Sequence, residues 1–422
     1  MKSFLPEMAL KNILRNKRRT ILSGSTIALV AMAICLLLSL EEGAISDMKK
    51  NIIDGTTGNL RIQNEKYTQN IRIMPLQFYI PNTTKIVNAI ESLEGIQEVE
   101  KHIVSTVSIY RKDKITSASL MGLTLSNNRL FNNKSTTVIE GMLPKSEHSE
   151  RLAVITQSLS SSLNIHVGDK FTFFTRTASG GTNGLTVTIA AVIYVGNTDY
   201  NGMQFFMDWQ EISQILRMGG NAQSLLIYTT QNFPEKNIPT LIHKISNLSQ
   251  IKNLEDTQLE IKEWQQVSSL FELFSMVDII YFFIALVFFI LAATVIFNTT
   301  MMSVLERQKE MGTLMSLGMG KHTITWLILI ETALTAGIAA FVGTILSSFI
   351  INYLGTIGFD LNAMGGSAVN GMNMSAWLYP HLSLYRYIWI ASMGTVTSVI
   401  ACIGPARMVL RIEPAEALRT EN

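Results

Sequence analysis

Four long apolar runs divide the chain, and each is long enough to cross a lipid bilayer. The first covers residues 21–40, ILSGSTIALVAMAICLLLSL, and contains no charged residue. The others cover residues 279–297 and, with less sharp ends, 324–351 and 387–410. A transmembrane helix needs about 20 predominantly apolar residues. The pattern therefore predicts four transmembrane helices.

The first run could instead be a cleaved signal peptide, because basic residues precede it. A signal peptide has an apolar core of only about 7–15 residues, followed by a cleavage site of small residues. This run is longer, and no such site precedes Glu41 and Glu42. We therefore interpret it as a retained anchor.

Lysine and arginine are distributed unevenly around the apolar runs, whereas the segment 353–385 contains neither. Cytoplasmic loops of membrane proteins carry an excess of these residues. The pattern predicts that both termini and the loop 303–322 are cytoplasmic and that 42–276 is external. The residues on which this orientation rests are Lys2, Lys11, Arg15, Lys17, Arg18 and Arg19 before the first run, Arg307, Lys309 and Lys321 between the second and third, and Arg407, Arg411 and Arg419 after the fourth.

The large polar segment mixes helical and strand patterns. KIVNAIESLEGI (85–96) has apolar residues at helical spacing and ends near Gly95. HIVSTVSIYR (102–111) and LTVTIAAVIYV (185–195) have the alternation or β-branched content of strands. Apolar residues at helical spacing also flank the membrane runs, which predicts helical stalks. We therefore expect an α+β domain in this segment.

These observations predict an α-helical membrane protein with four transmembrane helices and a large α+β extracytoplasmic domain inserted between helices 1 and 2. The predicted boundaries are 1–20 for a basic cytoplasmic helix, 21–41, 277–300, 323–352 and 386–410 for the four spans, 42–276 for the external domain, 301–322 for a cytoplasmic loop with a helix, 353–385 for an outer loop, and 411–422 for a cytoplasmic tail.

The composition agrees with a membrane protein and gives no sign of nucleic-acid binding, a metal site or a disulfide framework. The chain is 47% hydrophobic and 16% charged, whereas charged residues make up about a quarter of a typical soluble protein. The net charge of +2 and the absence of a basic patch with interleaved aromatic residues give no sign of a nucleic-acid partner. The two cysteines, Cys35 and Cys402, lie in apolar runs, and the six histidines have no metal-site spacing. We predict no catalytic residue, no metal site and no disulfide framework.

The stretch MSLGMGKHT (315–323) resembles a phosphate-binding loop, G-x-x-x-x-G-K-[ST]. The position of the first glycine is Met315, and His322 occupies the position of the hydroxyl residue. The stretch also lies between two apolar runs, with no strand before it. We therefore predict that the chain itself binds neither ATP nor any other cofactor.

The loop before this stretch has apolar residues on one helical face. A short amphipathic helix of this kind could lie in the lipid headgroups or place its apolar face in a groove of a partner protein. Spacing alone favours the passive linker. The apolar positions are Met311, Leu314, Met315 and Gly318, and the charges at the amino end are Glu306, Arg307, Lys309 and Glu310.

Glu331 is a carboxylate well inside the third apolar run. An ionisable group at this depth is costly and usually faces the interior of a helix bundle or a wet cavity. We interpret it as structurally paired, with Arg407 or the hydroxyls of a neighbouring helix as candidate partners. The amino-terminal helix carries Lys11, Arg15 and Arg18 on one face, which is typical of a helix on anionic lipid.

Three segments together resemble the membrane subunits of MacB/FtsX-type ABC systems, and the layout is closest to the lipoprotein-releasing LolC/LolE-type permeases. The first is the basic helix leading into the first run, 8–43. The second, 298–334, contains the pattern E-R-x-x-E-[IM]-G-x-x-x-[AS]-L-G, and the third is GPARMVLRIEPAEALRTE, 404–421. Parts of 42–276 resemble the MacB-like periplasmic domain.

The resemblance implies that the loop helix is a coupling helix that receives movement from a separate ATPase, which holds the ATP and Mg²⁺. It implies a non-enzymatic permease of the bacterial cytoplasmic (inner) membrane that releases lipoproteins to a periplasmic carrier. The alternatives are an exporter of drugs or peptides and an FtsX-like regulator of cell-wall hydrolysis. The implied partners are the ATPase, a second identical or homologous permease, membrane lipids, lipoprotein cargo and the carrier. The implied coupling residues are Glu306, Arg307, Glu310, Met311, Gly312, Leu314, Met315 and Gly318.

Overall fold

The chain forms two compact units. One contains Met1–Ile45, Phe274–Phe359 and Trp377–Asn422, and the other contains Ser46–Leu273 and Asp360–Ala376. Residues 412–421 of the terminal motif (404–421) and much of the predicted outer loop lie outside the residues described. The computed structural model describes residues 4–15, 17–111, 114–126, 128–133, 136–145, 151–195, 202–230, 233–252, 254, 258–268, 271–360 and 377–411.

Helices supply most of the first unit and connect the strands of the second. Four of the described helices, α2, α11, α13 and α14, are long and apolar enough to cross a membrane by length and composition. The α-helices are α1 (Phe4–Arg15), α2 (Lys17–Ile52), α3 (Glu65–Gln69), α4 (Thr83–Glu91), α5 (Arg129–Asn132), α6 (Gln157–Leu163), α7 (Trp209–Ile215), α8 (Ile238–Ser246), α9 (Ser249–Lys252), α10 (Trp264–Val267), α11 (Phe271–Glu306), α12 (Gln308–Ser316), α13 (Lys321–Ile357) and α14 (Leu384–Met408).

The helices of the first unit pack closely because small residues lie where they meet. A Cβ built on Gly343 of α13 would lie 2.3 Å from the carbonyl oxygen of Ala28 in α2. One turn earlier in α13, Ala339 lies opposite Gly24 of α2, 3.6 Å from a Cβ built there. In lipid, such small residues let two backbones approach and gain dispersion contacts. Ala336 and Ala340 are fully buried in the same helix.

Strands form one large mixed sheet in the second unit. Their order is β10-β1-β9-β2-β3-β8-β5-β7-β4, with β6 paired to β2 and β7. Most neighbours are antiparallel, but β3 pairs parallel with β8 and β5 with β7. The strands of this sheet are β1 (Leu60–Asn64), β2 (Ile96–Arg111), β3 (Lys114–Leu123), β4 (Thr136–Gly141), β5 (Leu152–Thr156), β6 (Lys170–Arg176), β7 (Thr182–Val195), β8 (Gln204–Asp208), β9 (Ser224–Thr229) and β10 (Leu259–Glu263); β11 (Phe359–Asp360) and β12 (Trp377–Leu378) pair separately.

Both faces of the central strands are buried. Phe205 and Ile155 belong to the main apolar cluster, whereas the neighbouring Phe206 and Val154 belong to a second cluster. Successive side chains of a strand point to opposite faces. Continuous apolar runs such as those in β5 and β8 therefore form strands here, and the α+β prediction for this segment is confirmed.

The predicted helical stalk before the second apolar run is interrupted. α10 ends at Val267, and Ser268 has extended backbone angles, φ −87° and ψ 120°. α11 begins only at Phe271. The apolar period of Trp264, Val267 and Phe271 therefore does not reflect one continuous helix, although Trp264 and Phe271 do pack edge to face, with ring centroids 5.6 Å apart.

Candidate functional site

The loop between the second and third apolar helices contains a short helix with defined ends. α11 ends at Glu306, and Arg307, with φ −98° and ψ 17°, separates it from α12. At the other end Gly318 has φ +93°. Its N–H donates to the carbonyl of Met315, and that of Met319 donates to the carbonyl of Leu314, both at 3.0 Å. This pair of bonds is a Schellman motif, which ends a helix and favours glycine at the left-handed position.

The helix is therefore shorter than the range of the implied coupling residues, Glu306 to Gly318. Glu306 belongs to α11, and the MSLGMGKHT stretch forms the end of α12, a turn, and the start of α13. Lys321 of this stretch donates to the carbonyl of Leu410 at 3.0 Å. A lysine at the end of a helix satisfies carbonyls that have no partner within the helix. In this structure Lys321 thus joins the start of α13 to the turn that follows α14.

Part of the apolar face of α12 is covered by the chain itself. Met311 is 4% exposed and Gly312 is also buried. Leu314 and Met315 are half-buried and pack against the same apolar cluster. The other members of that cluster come from α11, α13, α14 and the turn that follows α14: Val304, Ile324, Ile328, Cys402, Ala406 and Val409.

One apolar side chain of the loop between α11 and α13, that of Leu317, is exposed to solvent. Leu317 is 80% exposed and follows α12 directly, beside the exposed Gly318. Helical spacing misses Leu317, because it falls outside the series that defines the apolar face. The signal that could have found it is the leucine of the family pattern E-R-x-x-E-[IM]-G-x-x-x-[AS]-L-G, which is Leu317 in this chain.

A charged cluster connects α12 to the helices beside it. Arg307 donates from Nη1 to both oxygens of Glu331, at 3.2 and 3.1 Å, and from Nε to Glu310 at 3.0 Å. Arg15 of α1 donates to the other oxygen of Glu310 at 2.6 Å. Asn12 of α1 donates to Glu331 at 3.5 Å. We call these five residues the Arg307 cluster; it brings together α1, α12 and α13.

The inner half of this cluster is buried and the outer half is exposed. The side chains of Arg307 and Glu331 are 14% and 9% exposed, whereas those of Arg15 and Glu310 are 58% and 49% exposed. Burial lowers the pKa of Arg307, but the charges and hydrogen bonds of Glu331 and Glu310 raise it more, so that this pKa lies above its ordinary value. Arg307 is therefore a permanent cation in this cluster.

The partner of Glu331 differs from the suggested Arg407. Glu331 pairs with Arg307, and Arg407 is exposed. Glu331 and Arg307 also line a cavity between the helices. Hydroxyl side chains line the same cavity: Thr20, Ser23, Thr299, Thr300, Ser303, Thr332 and Thr335. Such a polar cavity lowers the cost of a carboxylate at this depth.

The amino-terminal helix is more than a lipid-facing element. Ala9 of α1 is fully buried, while Leu10 and Leu14 are 48% and 59% exposed. Of the predicted basic face, Arg15 binds Glu310 and Lys11 pairs with Glu7 at 2.8 Å. The exposed leucines agree with a helix in the interface. Arg15 ties that helix to the loop and Asn12 ties it to α13, which the sequence pattern does not indicate.

The fold combines four helices that are long and apolar enough to cross a membrane with a large α+β domain. Residues 282–414 match the family model of the FtsX-like permease C-terminal domain. Residues 20–236, just over half of the chain, match the model of the MacB-like periplasmic core domain. The chain belongs to the MacB/FtsX family of ABC transporter permeases. Membership implies an ATPase partner and a permease partner.

Individual relatives are distant. The chain is 23% identical over 342 residues to the lipoprotein-releasing system transmembrane protein LolC of Haemophilus influenzae, covering 79% of this chain and 80% of that protein. The periplasmic region of MacB from Actinobacillus actinomycetemcomitans is 13% identical, with a TM-score of 0.37, over 52% of this chain and 95% of that structure. The extracellular domain of the transporter YknZ from Gram-positive bacteria is 12% identical, with a TM-score of 0.34, over 48% and 99%.

Proposed function

We propose that this chain is the permease subunit of a mechanotransmitting ABC transporter in the inner membrane. Both termini and the loop with α12 face the cytoplasm, and the α+β domain is outside, inserted between the first two spans. ATP is hydrolysed in a separate subunit, and two permeases, identical or homologous, form the membrane part. The uneven distribution of lysine and arginine supports this orientation.

The observation that carries the proposal is the exposed Leu317 beside a helix that is fastened to the membrane helices. α12 is linked to α13 through Arg307 and Glu331 and to α1 through Glu310 and Arg15. A force applied at α12 would therefore be transmitted to these helices rather than lost in a mobile loop. Leu317 supplies an apolar side chain that a groove of the ATPase can bury.

The cargo that we propose is a lipoprotein, released from the membrane to a periplasmic carrier. The support is the similarity to a LolC protein over most of both chains. The domain between α2 and α11 provides a folded body outside the membrane on which movement of the helices can act. In this mechanism the cargo is extracted from the outer leaflet and does not pass through a channel.

The contact with the ATPase is tested by co-purification with a tagged permease at matched expression. Leu317→Asp places a carboxylate in the proposed apolar contact, which costs several kcal/mol when it is uncompensated, and about 1.4 kcal/mol is already tenfold in affinity. We expect at least a tenfold lower recovery of the ATPase. Ser316→Asp is the matched control, because it adds the same charge one residue away without removing an apolar side chain.

Leu314→Asp gives a different result from Leu317→Asp. Leu314 packs against the chain's own apolar cluster, so its replacement lowers the thermal stability of the permease as well as any ATPase recovery. Leu317→Asp leaves the thermal stability close to that of the wild type. Equal ATPase recovery with wild-type and Leu317→Asp permease would contradict the proposed contact.

The cargo is tested in proteoliposomes that contain the permeases, the ATPase and a fluorescent triacylated lipopeptide. With an acceptor protein outside, we expect release of the lipopeptide that requires hydrolysable ATP. The same peptide without acyl chains is the control for leakage. ATP-driven export of a soluble drug or peptide without lipopeptide release would show that the cargo assignment is wrong while leaving the ATPase contact intact.

A further inference from the structure

A second charged cluster lies at the opposite end of the membrane helices of the first unit. Arg386, at the start of α14, forms a charge-assisted hydrogen bond with Glu41 of α2. It also lies 3.6 Å from a carboxylate oxygen of Glu42 and 3.5 Å from one of Asp278 in α11. We call these four residues the Arg386 cluster. One guanidinium faces three carboxylates, so the cluster has a surplus of negative charge.

Glu41 is the most deeply buried carboxylate of this cluster, with 2% of the residue exposed. Its Oε2 atom contacts Arg386, whereas its Oε1 atom is buried without a hydrogen-bond partner among the described residues. A buried polar atom that loses water without gaining a partner destabilises a protein, and native structures leave few such atoms. An additional donor or cation at this position would remove the deficit.

A cleft opens beside the cluster and has one polar and one apolar end. Glu41, Asp278 and Arg386 line it at the ends of their helices, whereas Ala285 and Trp389 line it further along α11 and α14. With a rise of 1.5 Å per residue, Ala285 lies about two turns below Asp278. The cleft therefore accepts a molecule with a charged head and an apolar body.

Aromatic side chains also line the cleft close in sequence to Asp278 and Arg386. They are Tyr281, Phe282 and Tyr385. The faces of aromatic rings attract cations, and ammonium ions are bound where such rings combine with carboxylates. A metal ion fits less well, because none of the described residues form a group of three or more His, Cys, Asp or Glu side chains suited to hold one. An anionic headgroup would be repelled by the surplus charge.

We propose that the Arg386 cluster and its cleft bind the ammonium headgroup of an amphiphile, with the apolar tail lying between α2, α11 and α14. The source that the surroundings favour is a lipid of the bilayer, such as phosphatidylethanolamine. Phe282 is 52% exposed and Ile279, one turn before it in α11, is 56% exposed, so the cleft borders exposed apolar surface of the kind that lipid tails cover. This binding site does not depend on the ATPase contact or on the cargo.

The test is native mass spectrometry of the full chain purified in maltoside detergent and exchanged with lipids of identical acyl chains. We expect the wild type to retain phosphatidylethanolamine over phosphatidylglycerol. The double variant Glu41→Gln/Asp278→Asn removes the surplus charge and should lower this preference about fivefold, which corresponds to roughly 1 kcal/mol. Glu272→Gln is the matched control, because it removes an exposed carboxylate two turns before Asp278 in the same helix.

Asp278→Asn alone covers the case in which the double variant does not fold, because the Asp278 side chain is 57% exposed. A second arm titrates dodecylamine against the wild type to separate a lipid headgroup from a smaller amine. Binding of dodecylamine without a preference for phosphatidylethanolamine would overturn the lipid assignment. Equal retention of both lipids by the wild type without binding of dodecylamine, or an unchanged preference in both variants, would overturn the site.

Discussion

Two arginine-centred clusters occur in the helical unit, and their charge balance differs. In the Arg307 cluster two arginines face two glutamates, and each of the four carboxylate oxygens has a partner. In the Arg386 cluster one arginine faces three carboxylates, and an oxygen of Glu41 has no partner among the described residues. In the balanced cluster every charge is paired within the protein, so its ion pairs serve to join helices. In the unbalanced cluster an unpaired carboxylate oxygen is available to a ligand.

The largest effect is expected when the balanced cluster is broken. Glu331→Ala or Arg307→Ala leaves an uncompensated buried charge, and removal of one partner of such a pair costs about 3–5 kcal/mol. Each variant should show this loss in the free energy of unfolding, measured by equilibrium unfolding in mixed micelles. Glu306→Ala, which removes an exposed carboxylate at the end of α11, should change it by less than about 1 kcal/mol.

The same pair can be replaced without leaving a charge. Arg307→Met/Glu331→Leu removes both charges together, and an apolar pair of similar volume is often tolerated in place of a buried ion pair. We expect the double variant to be more stable than either single variant. A double variant that loses as much as the sum of the two single losses would show that the residues do not act as a pair.

In the Arg386 cluster we expect smaller losses of stability, and we expect removal of the arginine to cost more than removal of a carboxylate charge. Arg386→Ala leaves the buried Glu41 without its cation and should cost about 2 kcal/mol after allowance for the 28% exposure of Arg386. Glu41→Gln removes surplus charge and should cost less than about 1 kcal/mol in delipidated protein. Thermal unfolding in maltoside measures both. If Glu41→Gln lowers the thermal stability as much as Glu331→Gln does, the charge balance of the two clusters does not differ in the way described above.

The smallest effect is expected at the exposed edge of the Arg307 cluster. Arg15 and Glu310 are both about half exposed, and such pairs contribute about 0–1 kcal/mol. Arg15→Ala should therefore lower stability by less than about 1 kcal/mol, and the loss should fade as salt rises. Lys11→Ala, which breaks the exposed pair with Glu7, is the matched control. A loss that is large or independent of salt would mean that α1 is anchored by a buried interaction.

Local pattern predicted much of the fold. Four apolar helices follow from four uncharged or nearly uncharged runs, because the transfer of a side chain into lipid depends on that residue and its near neighbours. The strands around 102–111 and 185–195 agree with β2 and β7 for the same reason. The family pattern around 306–318 identified the loop that carries α12, since it is contiguous in the chain.

The tertiary structure alone decided which charges meet. Arg307 and Glu331 lie 24 residues apart and become partners only because α11 and α13 pack against each other. Glu41, Asp278 and Arg386 come from three helices that are distant in sequence. Whether Leu314 or Leu317 is exposed likewise depends on neighbours that spacing cannot supply. Periodicity determines which face of a helix is apolar, but long-range packing determines what covers that face and which charges it leaves paired.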